Sequence, residues 1–170
     1  MIKAYLTGEI VSSNEQDAFN LYEKSVLGEK LGEKIQYSLS EALYLVEKKK
    51  MEVYQKTKKL SFNQLTEKFQ KIDKNIQVKY SVFKDLRDKG YIVKTALKFG
   101  ADFRVYSKGI KPGQDHAKWI LYPVKESQKL TWHDFAAKNR VAHSTKKNLL
   151  IAIVDEENDV TYYEISWVRT

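Results

Sequence analysis

The sequence predicts a mixed α/β chain of two small domains: a helix-and-strand half over residues 1–75, and a second half over 76–170 in which helices flank a small mixed sheet. Two observations carry the fold class. Ser38-x-x-Glu41 and Ser61-x-x-Gln64 stand as capping boxes in front of apolar runs of helical spacing. Past Gly90 the apolar period then changes from 3.6 to 2, the spacing of strands. A third observation places the boundary, because Asp73-Lys74-Asn75 interrupts the apolar pattern between the halves.

Taken in order, KAYLTGEIV alternates as a strand with a turn at Gly8. Asn14 to Leu27 spaces Ala18, Phe19, Tyr22 and Val26 as a helix that Gly28 would end. A strand at Lys34–Tyr37 leads into the helix capped by Ser38, which carries Leu39, Ala42, Leu43 and Val46, with Lys48-Lys49-Lys50 complementing its carbonyl end. Met51–Tyr54 reads as a short strand and Lys56–Lys59 as a charged connector. The helix opened by Ser61 turns Leu65, Phe69 and Ile72 to one side. Val78–Lys89 is a further helix, with Val82, Phe83 and Leu86 inward and Gly90 as its stop. Tyr91–Phe99, Phe103–Tyr106 and Trp119–Val124 are strand-like. Thr131 with Asp134 caps a helix over Trp132–Ser144. LLIAIV and VTYYEISWV pair as a hairpin turning near Asn158.

Composition narrows the function. The chain holds no cysteine, so disulfides, thiol nucleophiles and thiolate metal sites are excluded. No HxH or HxxxH spacing links the three histidines, and no metal or other cofactor is implied. No apolar run approaches the ~20 residues that span a bilayer, and the N-terminus lacks a signal-peptide core, so an intracellular, cytoplasmic protein without a membrane partner is expected. Net charge is +8, and most of the excess falls after residue 75. Such a surplus favours a polyanionic partner through counter-ion release.

The candidate chemistry lies between Phe99 and Lys147. Tyr106 ends an alternating run before Ser107-Lys108-Gly109, His116 follows a Pro112-Gly113 turn beside Asp115, and Lys147 sits between a helix and the apolar run LLIAIV. His133 and His143 fall in the first turn and near the end of one helix, where capping, packing or solvent explains them. Cutting RNA without a metal needs a base for the 2′-hydroxyl, an acid for the leaving 5′-oxygen, and a cation for the pentacoordinate phosphate. Tyrosine, histidine and lysine can fill those roles, although a phenol of ordinary pKa near ~10 needs cations beside it to act as a base. Arg104 and Lys108 stand within two residues of Tyr106, and Lys147 is a third candidate cation.

Three segments, VYSKG, DHAKWILYPV and NRVAHSTKKNLLIAIVDEENDVTYYEISWVRT, resemble the C-terminal catalytic domain of archaeal tRNA-splicing endonucleases, and the likeness extends over essentially the whole chain. It implies cleavage of precursor tRNA at both exon–intron junctions within a bulge–helix–bulge. The products would be a 2′,3′-cyclic phosphate and a 5′-hydroxyl, with no metal required. By that resemblance Tyr106 is the general base, His116 the general acid and Lys147 the phosphorane stabiliser. Arg140 and Arg169 match two arginines that sandwich a flipped bulge base. A chain of this length resembles the homotetrameric type, in which two subunits present active centres and two hold them apart. The acidic stretch Asp155, Glu156, Glu157 and Asp159 resembles a loop that docks on a neighbouring subunit, and Tyr162–Val168 could pair with its copy. The competing class is a catalytically silent RNA-binding or scaffold subunit, against which an intact Tyr106, His116 and Lys147 argue.

Overall fold

A computed structural model describes residues 1–170 and divides them into two units, Met1–Tyr80 and Ser81–Thr170. The first unit is built on β1 (Ile2–Thr7), β2 (Ile10–Ser13), α1 (Gln16–Ser25), β3 (Glu29–Leu31), β4 (Lys34–Tyr37), α2 (Leu39–Glu47), β5 (Met51–Gln55), β6 (Lys58–Leu60) and α3 (Phe62–Ile72). Its six strands run in the order β3-β4-β2-β1-β5-β6, with only β1 and β5 parallel. Strict alternation along β1 buries Ile2, Ala4 and Leu6 and leaves Lys3, Tyr5 and Thr7 exposed. Both capping boxes form: Ser38 accepts from the amide of Glu41 and Ser61 from that of Gln64, while Glu41 and Gln64 reach back to the amides of Ser38 and Ser61.

Some elements differ from the reading of the sequence. Helix α1 is shorter than Asn14–Leu27 and stops at Val26, which takes the left-handed conformation (φ 56°) and donates its amide to the Tyr22 carbonyl. Gly28 serves another purpose, since a β-carbon there would collide with Ile35 Cγ2. The stretch Glu29–Leu31 forms a strand, and Lys56–Lys59 is the turn and start of a β5–β6 hairpin. In both places charged residues hide a strand from a reading of apolar alternation.

The helix α4 (Ile76–Asp88) runs across the division, and its later turns bury Val82, Phe83 and Leu86 in the second unit. It ends in a Schellman motif at Gly90 (φ 92°), with Gly90 and Tyr91 donating to the carbonyls of Arg87 and Leu86. The second unit continues with β7 (Val93–Thr95), β8 (Phe103–Val105), β9 (Trp119–Lys125), α5 (Trp132–Ser144), β10 (Asn148–Val154) and β11 (Val160–Ile165). Strand order is β11-β10-β9-β8-β7, with β9 and β10 parallel and the other pairs antiparallel. The expected strand Tyr91–Phe99 is therefore only Val93–Thr95, because Leu97–Phe99 closes as a single 3-10 turn ended by Gly100 (φ 73°). The C-terminal strand stops at Ile165, short of Val168. Ile120, Tyr122, Leu149 and Ile151 form the core on one face with Ala142 of α5. No helix is long and apolar enough to cross a membrane.

Glu41 is 4% exposed and its two oxygens accept from the amides of Gly28 (3.0 Å) and Ser38 (2.9 Å), tying the chain after α1 to the start of α2. Glu41→Ala removes both acceptors and is expected to lower unfolding stability by about 2 kcal/mol in urea titration, with Ser38→Ala costing about 1 kcal/mol.

Candidate active site

Sheet register decides what meets at the end of β8, β9 and β10. Val105 stands opposite Trp119, and Trp119 beside Asn148. One step beyond that row, Tyr106, Lys118 and Lys147 follow one another across three neighbouring strands, joined by Lys118 N–H to the Val105 carbonyl (2.9 Å) and Asn148 N–H to the Lys118 carbonyl (3.0 Å). Residues 106 and 147 thus lie on either side of Lys118 in one row although forty residues separate them in the chain.

Each side chain is then delivered by local structure. On β8, Phe103 and Val105 are buried, with the Phe103 ring 6.0 Å from that of Phe83, so Arg104 and Tyr106 share the opposite side of the strand. Tyr106 is 6% exposed, and its amide donates to the Ile92 carbonyl. The connection to β9 folds as two successive turns, with Gly109 (φ 81°) in the first and Gly113 (φ 92°) in the second. Lys111 and Gln114 bond each other in the second turn, and Asp115 Oδ1 accepts the amide of His116 at 2.7 Å. These bonds fix the backbone and present an exposed imidazole.

Lys147 is placed by the end of α5. Lys146 takes the left-handed C′ position (φ 57°), where its amide reaches the His143 carbonyl and that of Lys147 reaches Ala142. This Schellman turn swings the chain directly into β10. The Lys147 ammonium donates to the Thr145 carbonyl at 3.0 Å and lies 5.4 Å from the Phe99 ring centre.

Tyr106, His116 and Lys147 line one open cleft of about 340 Å³, together with Phe99, Arg104 and Asp115. A guanidinium, an ammonium and an imidazole thus share the cleft with a single carboxylate, one of whose oxygens already holds an amide of its own loop. Such a cleft suits an anion, with an acid and a base at hand.

The other expected residues lie elsewhere. Arg140 is exposed on α5 and lines an apolar groove of about 780 Å³ with Phe135, His143, Ile165, Trp167 and Val168. His143 packs against Trp167 at 4.3 Å between ring centres. A smaller depression of about 180 Å³ shares His143 and Trp167 with that groove and Lys147 with the cleft, so Lys147 stands between the two. Arg169 is exposed and lines none of the three. In the acidic stretch, Asp155 Oδ1 accepts the amides of Glu157 and Asp159, both at 2.9 Å, which leaves Glu156, Glu157 and Asp159 exposed around Asn158 (φ 65°). Phe99 and Trp167 were not singled out from the sequence. Phe99 sits in a run that reads as a strand, and Trp167 lies in the tail beyond β11.

The chain is similar to known proteins over its whole length. The family model described as tRNA intron endonuclease, catalytic C-terminal domain, matches residues 76–162, and the one for the N-terminal domain matches 2–66. A protein of Thermococcus kodakarensis named tRNA-splicing endonuclease is 45% identical over 170 residues, covering 99% of each chain. Those of the same name from Pyrococcus abyssi and Methanothermobacter thermautotrophicus are 44% and 36% identical, each covering 99% of this chain and 98% of the relative.

The left-handed backbone at Lys146 is costly for a residue with a β-carbon, and glycine relieves that cost while losing more chain entropy on folding. Lys146→Gly is expected to be stabilising by about 0.5 kcal/mol in urea titration.

Proposed function

The chain belongs to the tRNA intron endonuclease family, and on that premise we propose that it is a tRNA-splicing endonuclease that cuts precursor tRNA at both exon–intron junctions of a bulge–helix–bulge. The observation that carries this reading to particular residues is the cleft into which three separate elements bring Tyr106, His116 and Lys147. In the reaction, Tyr106 takes the proton of the 2′-hydroxyl at the junction. The resulting oxygen attacks the adjacent phosphorus, and charge gathers on the non-bridging oxygens of the pentacoordinate phosphate, where the Lys147 ammonium stabilises it. His116 donates a proton to the departing 5′-oxygen. A 2′,3′-cyclic phosphate and a 5′-hydroxyl result, with every proton carried by protein groups and no metal required.

Arg140 and Arg169 serve in this reading to sandwich a flipped bulge base, since a guanidinium plane stacks on a nucleobase. Arg140 lies along the groove, and a smaller depression that shares His143 and Trp167 with that groove reaches Lys147 at the cleft's margin. The assembly is a homotetramer, in which Glu156, Glu157 and Asp159, splayed outward by the turn that Asp155 organises, dock on a basic surface of a neighbouring copy.

Purified protein incubated with a bulge–helix–bulge RNA in excess EDTA is expected to cut both bulges and leave 2′,3′-cyclic ends. His116→Ala should slow single-turnover cleavage by about 10²- to 10⁴-fold, the usual contribution of a positioned acid or base, and Tyr106→Phe by a similar factor. Cleavage that needs a divalent ion, or that ignores His116, sinks the assignment. Reversing Glu156, Glu157 and Asp159 together to lysine is expected to shift the sedimentation coefficient to a smaller species and to reduce cleavage, with the unfolding transition kept.

A further inference from the structure

One cation of the cleft has no part in the three-residue mechanism. Arg104 shares its side of β8 with Tyr106, two positions on, and lines the same cleft as His116 and Lys147. Its Nε is buried and makes no hydrogen bond. Buried polar groups are satisfied in nearly all folded proteins, and an unpaired guanidinium nitrogen is costly in the absence of a ligand that accepts from it. The one carboxylate in the cleft, Asp115, directs an oxygen to the backbone of its own loop. No acceptor within the chain satisfies the Arg104 nitrogen, and the residue that carries it lines the open cleft.

We propose that Arg104 is a phosphate-binding residue, gripping the RNA backbone in the cleft so that the phosphate presented to Tyr106 and His116 is held between Arg104 and Lys147. This rests on the RNA-cleaving reading of the cleft and adds to it a residue that acts before the chemistry. The two cations divide the work by their shapes. Arginine offers a planar fork that holds two oxygens of one phosphate and fixes its orientation, whereas an ammonium acts as a point charge. Lys147 already gives one of its three protons to the Thr145 carbonyl, so it alone is poorly equipped to orient the phosphate as well as neutralise it.

The test separates binding from cleavage. A bulge–helix–bulge RNA carrying 2′-deoxynucleotides at both scissile positions cannot be cut, and its affinity is measured over a series of KCl concentrations. Arg104→Gln is expected to weaken binding about tenfold and to make the slope of log affinity against log salt shallower by about 0.7 to 0.9 per occupied cleft, the signature of one lost phosphate contact. Arg104→Lys keeps the parent's slope. On the all-ribose RNA, single-turnover cleavage should fall about a hundredfold in Arg104→Gln and about tenfold in Arg104→Lys, since the charge survives but the fork does not. Arg104→Met, which keeps an apolar stem, repeats both measurements if the glutamine variant does not fold. Parental slope and cleavage rate in a folded Arg104→Gln or Arg104→Met protein would overturn the proposal. If His116→Ala abolishes cleavage while Arg104 variants change nothing, Arg104 has no such role and the nuclease reading stands. If the parent cuts no RNA yet the salt slope falls in Arg104→Gln, the phosphate contact stands and the nuclease reading fails.

Discussion

The parallel pairing of β9 with β10 is the constraint on which the site depends. Parallel neighbours cannot be joined by a tight turn, so the chain must leave the end of β9, cross over the sheet as α5 and return to the start of β10. That return puts the first residue before β10 next to the residues before β9, and the antiparallel β8 brings its last residues to the same place. A tyrosine at a strand end, a histidine on the following loop and a lysine after a helix thereby become neighbours. Every hydrogen bond holding them in position is a backbone bond or a bond within one turn. The arrangement therefore owes little to the side chains proposed to do the chemistry, and these can be changed one at a time without expecting the sheet to fail.

Two ways of placing a charge can be compared within this unit. Glu164 accepts from the Trp119 indole (2.6 Å) and the Asn148 side-chain amide (3.1 Å), fastening the edge strand β11 to β10 and to the central β9. Tyr162 donates to Asp85 at 2.6 Å, and its burial, helped by that carboxylate, pushes the phenol well above its ordinary range. These polar side chains are satisfied by neighbours and serve the fold. Arg104 and His116 belong to the other kind: both line the cleft, and no acceptor within the chain bonds the buried Nε of Arg104. A polyanion meeting such a surface exchanges its counter-ions for fixed charges that the fold has already positioned, which is the condition under which electrostatic stabilisation requires little reorganisation.

Much of this was legible in the sequence, for reasons that can be stated residue by residue. Helix caps are short and rest on side-chain chemistry, so the capping boxes of Ser38 and Ser61 and the N-cap of Thr131 mark helix starts at the right residue. The β10–β11 hairpin was legible because both strands are apolar or aromatic and the turn between them is acidic. Strands whose exposed side is lysine or glutamate, such as Glu29–Leu31 and Lys58–Leu60, were not, since pairing partners and not apolar period define them. The end of α1 was missed because glycine is the usual left-handed residue, whereas Val26 takes that role. For the candidate site, the sequence proposed Tyr106, His116 and Lys147 as a group, and the resemblance proposed the role of each. What neither could supply was the register, because one residue's slip in β8 would turn Tyr106 to the other side of the sheet.

That same period of two makes Arg104 intelligible. A strand that must aim Tyr106 into the cleft also aims the residue two before it, so position 104 was never free to be a neutral part of the core. An apolar side chain there would narrow the space beside an incoming phosphate without offering it a donor, and a carboxylate would repel it. Arginine alone among the side chains combines a stem long enough to pack along the strand with a charged fork that can reach past it. Its Nε, buried and without an acceptor in the chain, is the cost the proposed phosphate contact would offset.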